Sequence, residues 1–105
     1  MPVIDTQTLK VLEKRPGWRG RVVHSPSMTF VHWDFDAGSS IHEHHHEQEE
    51  VWHVLEGELE MTIGVEQFQL SAGDSIYFDS LQKHAYRSLV KKPCTAIVVT
   101  TGSST

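Results

Sequence analysis

The sequence has little cysteine, little basic charge and no long apolar run. Cys94 is the single cysteine among 105 residues, which rules out an intrachain disulfide, fits a reducing compartment and predicts a cytoplasmic protein. Nine basic and fourteen acidic residues give a net charge of −5, which argues against nucleic acid or an anionic membrane as a partner. No apolar run approaches the roughly 20 residues of a membrane-spanning helix, and no secretory signal is predicted.

The length and the apolar content predict one globular domain. At 105 residues, 38% of them hydrophobic, the chain is large enough for a single modest core. We expect one domain over residues 1–105, with its core at about residues 25–101. Residues 1–24 are expected to pack on this core or on a partner.

Short segments with strand patterns follow one another along the chain. Residues 58–65 alternate strictly between apolar and polar side chains, which is the period of a half-buried strand. Glu56-Gly57 is predicted as a hairpin turn, residues 91–93 as a break between strands, and residues 7–14 as a short helix. Other predicted strands begin near Trp18 and cover residues 28–35, 51–55, 67–70, 75–79, 84–90 and 94–101. This spacing of strands and turns predicts an all-β sandwich or barrel.

Histidine is the one unusually frequent residue. There are eight, and five of them fall between His42 and His53. A run rich in His and Glu is compatible with an exposed loop that binds metal adventitiously. Residues 42–46 also match the H-E-x-x-H pattern of zinc proteases. The following residues disfavour that class, because Glu49 and Trp52 occupy the glycine and third-histidine positions of its longer pattern and no helical apolar stripe is present.

A third interpretation places these histidines on a strand. His44 and His46 would then project to the same face about 6.5 to 7 Å apart, which allows both imidazoles to bind one ion. Glu50 can add a carboxylate, and His84, at the start of a later strand, can add a third imidazole. This ligand set suits a divalent Fe, Mn, Ni, Zn or Cu ion rather than calcium.

The same residues resemble the two sequence motifs of the cupin family. Gly38-x5-His44-x-His46-x3-Glu50-x6-Gly57 is similar to the first motif at every specified position. The second motif resembles Gly73-x5-Asp79-x-Leu81-x2-His84-x3-Ser88, in which the family usually has proline, glycine and asparagine at the positions of Asp79, Leu81 and Ser88. The resemblance implies an antiparallel jelly-roll β-barrel with one transition-metal ion inside, bound by His44, His46, Glu50 and His84.

The pocket of such a barrel would be lined by inward side chains near the ion. Trp52 and Val54 share the phase of Glu50. Phe30 and His32 share one face of their strand, and we include them as pocket candidates although phase alone does not show which face is inward. Tyr86 shares the phase of His84, and its phenol is a candidate catalytic acid or hydrogen-bond donor.

Two classes of function agree with this site. The first is a metal-dependent enzyme acting on a small organic molecule, with dioxygenase, decarboxylase or isomerase chemistry left open. The second is a protein that binds or senses a small molecule, such as a sugar or sugar acid, without turning it over. In either class we expect a homodimer that uses the segment Thr6 to Val23, because edge strands need to be paired or covered. His53 is out of phase with Glu50 and is expected on the outer face.

Overall fold

The computed structural model describes residues 3–43, 49–63, 65–78 and 86–101, and strands make up most of them. A single 3-10 turn, Thr6–Thr8, precedes the strands. The strands are β1 (Leu12–Arg15), β2 (Trp18–His24), β3 (Met28–Phe35), β4 (Ser40–Glu43), β5 (Glu50–Ile63), β6 (Glu66–Ser71), β7 (Ser75–Phe78) and β8 (Tyr86–Thr101). These elements confirm the predicted all-β class, and the bounds predicted for β3 are those observed.

The strands form one antiparallel sheet that two long strands divide into halves. The order is β1-β2-β3-β8-β5-β6, with β4 paired to β8 and β7 paired to β5. The first part of β5 pairs with β7 and with the end of β8, and its second part pairs with β6 and with the start of β8. Because β5 and β8 belong to both halves, they bend the sheet into the jelly-roll barrel.

The bend lies at Gly57, where the sequence predicted a hairpin turn. That prediction is wrong, since β5 continues through the position with shifts of register between Val54 and Leu59. Before the shift the even-numbered residues Trp52 and Val54 are buried, and after it the odd-numbered residues Leu59 and Met61 are buried. A bulge of this kind lets one strand serve two halves of a barrel. The break predicted at residues 91–93 is likewise absent, because these residues lie within β8.

The N-terminal residues also differ from the prediction. The helix expected over residues 7–14 is replaced by the Thr6–Thr8 turn and by β1, which pairs with β2 across Pro16 and Gly17. Pairing with a neighbouring strand therefore overrides the weak helical preference of this short segment. No helix in the described part of the chain is long and apolar enough to cross a membrane.

An aromatic cluster fills one end of the core. Trp18 packs against Phe35 at a ring-centroid distance of 4.2 Å and meets Trp33 edge-on at 5.7 Å. Trp52 from β5 joins them, 6.4 Å from Trp18 and stacked on Phe35 at 6.3 Å. Trp18 is only 2% exposed, so β2 belongs to the same core as the later strands. Aromatic pairs with these geometries add to the stability given by burial itself.

The close approach of β5 to β8 at the bend predicts a specific need for glycine. A Cβ on Gly57 would lie 2.2 Å from the carbonyl oxygen of Pro93, whereas a Cβ on Gly73 would meet nothing within 4 Å. Both glycines have positive φ, +85° and +94°, so the backbone strain of a substitution is common to both. We expect Gly73→Ala to lower the free energy of unfolding by about 1–2 kcal/mol. Gly57→Ala should lower it by at least about 1–3 kcal/mol more, because the strands must also separate.

Urea unfolding of the two variants and the wild type measures this difference. Equal losses for Gly57→Ala and Gly73→Ala would show that the approach of β5 to β8 does not require glycine.

Candidate functional site

A row of polar side chains lies across the inner face at one end of the barrel. Glu50 on β5 is opposite Thr100 on β8, and Thr100 is opposite Thr29 on β3. The three side chains are buried, with exposures of 3%, 8% and 3% in that order. The neighbouring inner residues are apolar, among them Trp52 and Val98. Buried polar groups in an apolar interior are unusual and need partners, so this row is the candidate site.

Trp52 holds the Glu50 carboxylate in place. Its indole Nε1 donates a hydrogen bond of 2.9 Å to Glu50 Oε1. The indole ring is itself fixed in the aromatic cluster by Phe35 and Trp18. Glu50 therefore presents a buried carboxylate whose orientation is set by the core. This hydrogen bond compensates part of the cost of burying the carboxylate, and carboxylate oxygens are also ligands of divalent cations.

The predicted pocket residues divide between the two faces of the sheet. Trp52 and Val54 lie on the inner face with Glu50, with exposures of 3% and 0%. Phe30 and His32 do not share that face, which differs from the expectation. Thr29, Val31 and Phe35 are the buried residues of β3, so the alternation of the strand turns Phe30 and His32 to the outer face.

Three of the four predicted metal ligands, His44, His46 and His84, lie outside the described residues. The backbone of Tyr86 begins β8 and pairs with Glu43 and Ile63, while its catalytic role stays a prediction. Within residues 3–43, 49–63, 65–78 and 86–101, no three His, Cys, Asp or Glu side chains are grouped so that they could hold an ion.

The described donors fit a site that uses a carboxylate better than one that uses a thiolate. Glu50 supplies a buried, oriented carboxylate oxygen, a common ligand of divalent transition metals. Cys94 is on the inner face, but burial raises the pKa of its thiol to about 11. The thiol is therefore neutral near pH 7 and is a poor ligand in that form. His53 is bonded to Ser75 through Nδ1, at 2.7 Å.

The one strong ion pair of the β2 region lies away from the inner row. Arg19 donates two hydrogen bonds to Asp36, at 2.8 and 3.1 Å. These bonds lower the pKa of the Asp36 carboxyl and raise that of the Arg19 guanidinium. Both side chains are well exposed, 39% and 59%, so the pair belongs to the surface and adds no charge to the site.

Sequence reasoning missed two parts of this arrangement. The Trp52–Glu50 hydrogen bond could have been found from their spacing of two residues, which puts both side chains on the same face of a strand. The neighbours Thr29 and Thr100 could not, because only the pairing of β3, β8 and β5 brings them beside Glu50.

Comparison with known proteins identifies the family and the fold. A family model described as Cupin domain matches residues 31–100. KdgF from Halomonas sp. has a similar structure, with a TM-score of 0.85 at 18% identity, over 95% of this chain and 94% of that one. No curated protein sequence matches the chain.

Two further structures are similar over nearly the whole chain. An RmlC-like cupin from Shewanella frigidimarina matches with a TM-score of 0.87 at 17% identity, over 98% of this chain and 92% of that one. Ectoine synthase from P. lautus matches with a TM-score of 0.86 at 16% identity, over 100% of this chain and 80% of that one. At these identities the likeness shows the fold alone.

The contact between Trp52 and Glu50 predicts unequal effects of two similar substitutions. Trp52→Phe and Trp18→Phe remove comparable aromatic area from the same cluster. Only the Trp52 indole donates to Glu50, while Trp18 Nε1 has no hydrogen-bond partner among the described residues. We expect Trp52→Phe to lower the free energy of unfolding by about 1.5–3 kcal/mol more, which is typical of a hydrogen bond to a charged group. Urea unfolding at pH 7 measures both values. A loss from Trp18→Phe as large as that from Trp52→Phe would contradict this role of the indole.

Proposed function

Because the chain belongs to the cupin family, we propose that it binds one divalent transition-metal ion inside the barrel and acts there on a small organic molecule. The proposed ligands are His44, His46, Glu50 and His84. The observation that supports this most directly is the buried Glu50 carboxylate, which the Trp52 indole orients on the inner face. The ion is proposed to be Fe, Mn, Ni, Zn or Cu, since imidazole and carboxylate together suit these metals.

The described residues would prepare the interior for such chemistry. The Trp52 indole keeps one Glu50 oxygen from rotating away, so the carboxylate needs little reorganisation to bind a ligand or ion. Trp52, Val54 and Val98 give the interior apolar walls that exclude water and strengthen electrostatic interactions there. A bound ion would supply Lewis acidity, and Tyr86 is the proposed catalytic acid or hydrogen-bond donor.

An enzyme is the function that we favour, and a non-catalytic binding protein is the alternative. A fixed, buried carboxylate and an apolar wall serve either class, since both features also describe a ligand-binding pocket. Turnover separates the two classes. Metal-loaded protein incubated in air with a panel of small sugar acids and aromatic acids should convert at least one compound if it is an enzyme. Binding without conversion across the panel would favour the alternative.

The most direct test of the proposed metal site is a substitution of His84. It is distant in sequence from the run at residues 42–50, so it contributes only if the ion lies in the barrel. We expect one ion per wild-type chain by elemental analysis and at least about tenfold weaker binding in His84→Ala, because an inner ligand is lost. The control is His53→Ala, which removes a histidine bonded to Ser75. Equal metal affinity in His84→Ala and the wild type would favour adventitious binding by the run at residues 42–50 instead.

We also propose that the protein is a homodimer. The two copies would meet through the outer face of the same strands that carry the inner polar row. One line of outer positions crosses five paired strands, β2, β3, β8, β5 and β7. Its residues are Val23, Phe30, Val99, Val51 and Tyr77. Val51 and Tyr77 are 41% and 54% exposed, and a continuous apolar surface of this kind is typical of a protein contact. Val23 brings the N-terminal segment into the proposed interface.

A charge placed in this line should separate the two copies. We expect wild-type protein to have twice the chain mass of 11.9 kDa by light scattering at micromolar concentration. Val51→Glu should give the single-chain mass, because it would bury a charge at the contact. Leu89→Glu is the matched control, since Leu89 is also an exposed apolar residue, at 37%, but lies in the part of β8 that pairs with β4. A monomeric wild type, or a dimeric Val51→Glu, would overturn the proposed interface.

A further inference from the structure

Two buried hydroxyl groups on the inner face of β8 have no hydrogen-bond partner within the part of the chain that the structure describes. They are Thr100 Oγ1 and Ser88 Oγ, in side chains that are 8% and 1% exposed. Leaving a buried hydroxyl unsatisfied costs about 1–3 kcal/mol. A protein rarely keeps such groups without a use, and they are the first places to look for a missing hydrogen-bonding partner.

The position of Thr100 indicates that its unsatisfied hydroxyl serves to bind a ligand. Its backbone is opposite Glu50, the carboxylate that Trp52 orients, and opposite residues on paired strands have Cβ atoms about 4.5–5.5 Å apart. A molecule that reached Glu50 or an ion beside it would therefore also meet the Thr100 hydroxyl. Ser88 extends the same face of β8 into the other half of the barrel, opposite Met61 on β5.

The positions of the described basic side chains bear on which charged groups the ligand can carry. None of the described lysine and arginine residues is among the buried residues, and Arg21, whose Nε is buried, is bonded to Asp34 on the outer face. None of these basic groups is buried in the interior, where it could bind a phosphate. Hydroxyl groups, in contrast, can both donate to and accept from the hydroxyls of a ligand.

We propose that Thr100 and Ser88 bind the hydroxyl groups of a small hydroxylated carboxylic acid. Thr100 acts beside Glu50 and Ser88 acts deeper in the barrel. The carboxylate part of this assignment rests on the proposed function, because the metal ion would be the positive group that receives it. The hydroxyl part rests on the two unsatisfied side chains alone.

The test compares two six-carbon acids that differ only in their hydroxyl groups. D-Gluconate and hexanoate are titrated into the whole protein while tryptophan fluorescence is followed, since Trp52 is bonded to Glu50. We expect wild-type protein to bind gluconate at least about tenfold more tightly than hexanoate. Thr100→Val, which keeps the size and branching of the side chain, should remove most of this preference, and Ser88→Ala should reduce it.

Thr95→Val is the matched control. Thr95 is on the same strand, but its hydroxyl donates to Asp34 on the other face, so the gluconate preference should remain. Thr100→Ser retains a hydroxyl and should keep the preference as well. Thr100→Val should leave the urea midpoint of the ligand-free protein unchanged or raise it, because it removes an unsatisfied buried group. A hydroxyl that merely supports the fold would instead lower that midpoint.

Two results would overturn the inference: a wild type without preference for gluconate, or a Thr100→Val variant that keeps it. Either would mean that the hydroxyls bind only buried water. Elemental analysis of the same wild-type sample decides the proposed function separately. Protein without metal would overturn the metal site, while the comparison of gluconate with hexanoate would still decide the role of the two hydroxyls.

Discussion

The hydrogen bond from the Trp52 indole to the Glu50 carboxylate is the interaction on which the site depends. It joins the aromatic cluster of the core to the row of buried polar side chains. Because the indole is packed against Phe35 and Trp18, it cannot follow a moving carboxylate. The position of the charge in the site is therefore set by the packing of the core.

The second constraint is the approach of β5 to β8 at the bend. Gly57 lies so close to Pro93 that no larger residue fits, and the bulge beside it reverses which side chains of β5 face inward. The first half of β5 turns Glu50, Trp52 and Val54 inward, and the second half turns Leu59 and Met61 inward. Both sets can face the interior only because the bulge between them changes the parity of the inward residues. Both halves of the pocket thus depend on one glycine.

The sequence was sufficient for the fold class and for part of the site, and the reasons are local. The aromatic and β-branched content of residues 28–35 and the spacing from Gly38 to Gly57 depend only on nearby residues, so β3 and the family could be predicted. The inward face of β3 could not be, because Phe30 and Val31 are both apolar and only the pairing with β2 and β8 distinguishes the two faces. Glu56-Gly57 was predicted as a turn for a similar reason, since a bulge and a hairpin use glycine in the same conformation.

At the Glu50 end of the sheet, the polarity of the two faces is inverted. The inner row contains Glu50, Thr100 and Thr29, whereas the outer row one residue away contains Val51, Val99 and Phe30. In a water-soluble sheet with one buried face, the pattern expected is apolar inside and polar outside. In the inner row Glu50 is bonded to Trp52 and Thr29 to His24, whereas the Thr100 hydroxyl has no hydrogen-bond partner among the described residues. The unsatisfied Thr100 hydroxyl inside and the partly exposed apolar row outside are the physical reasons to look for a ligand on one face and a second copy of the chain on the other.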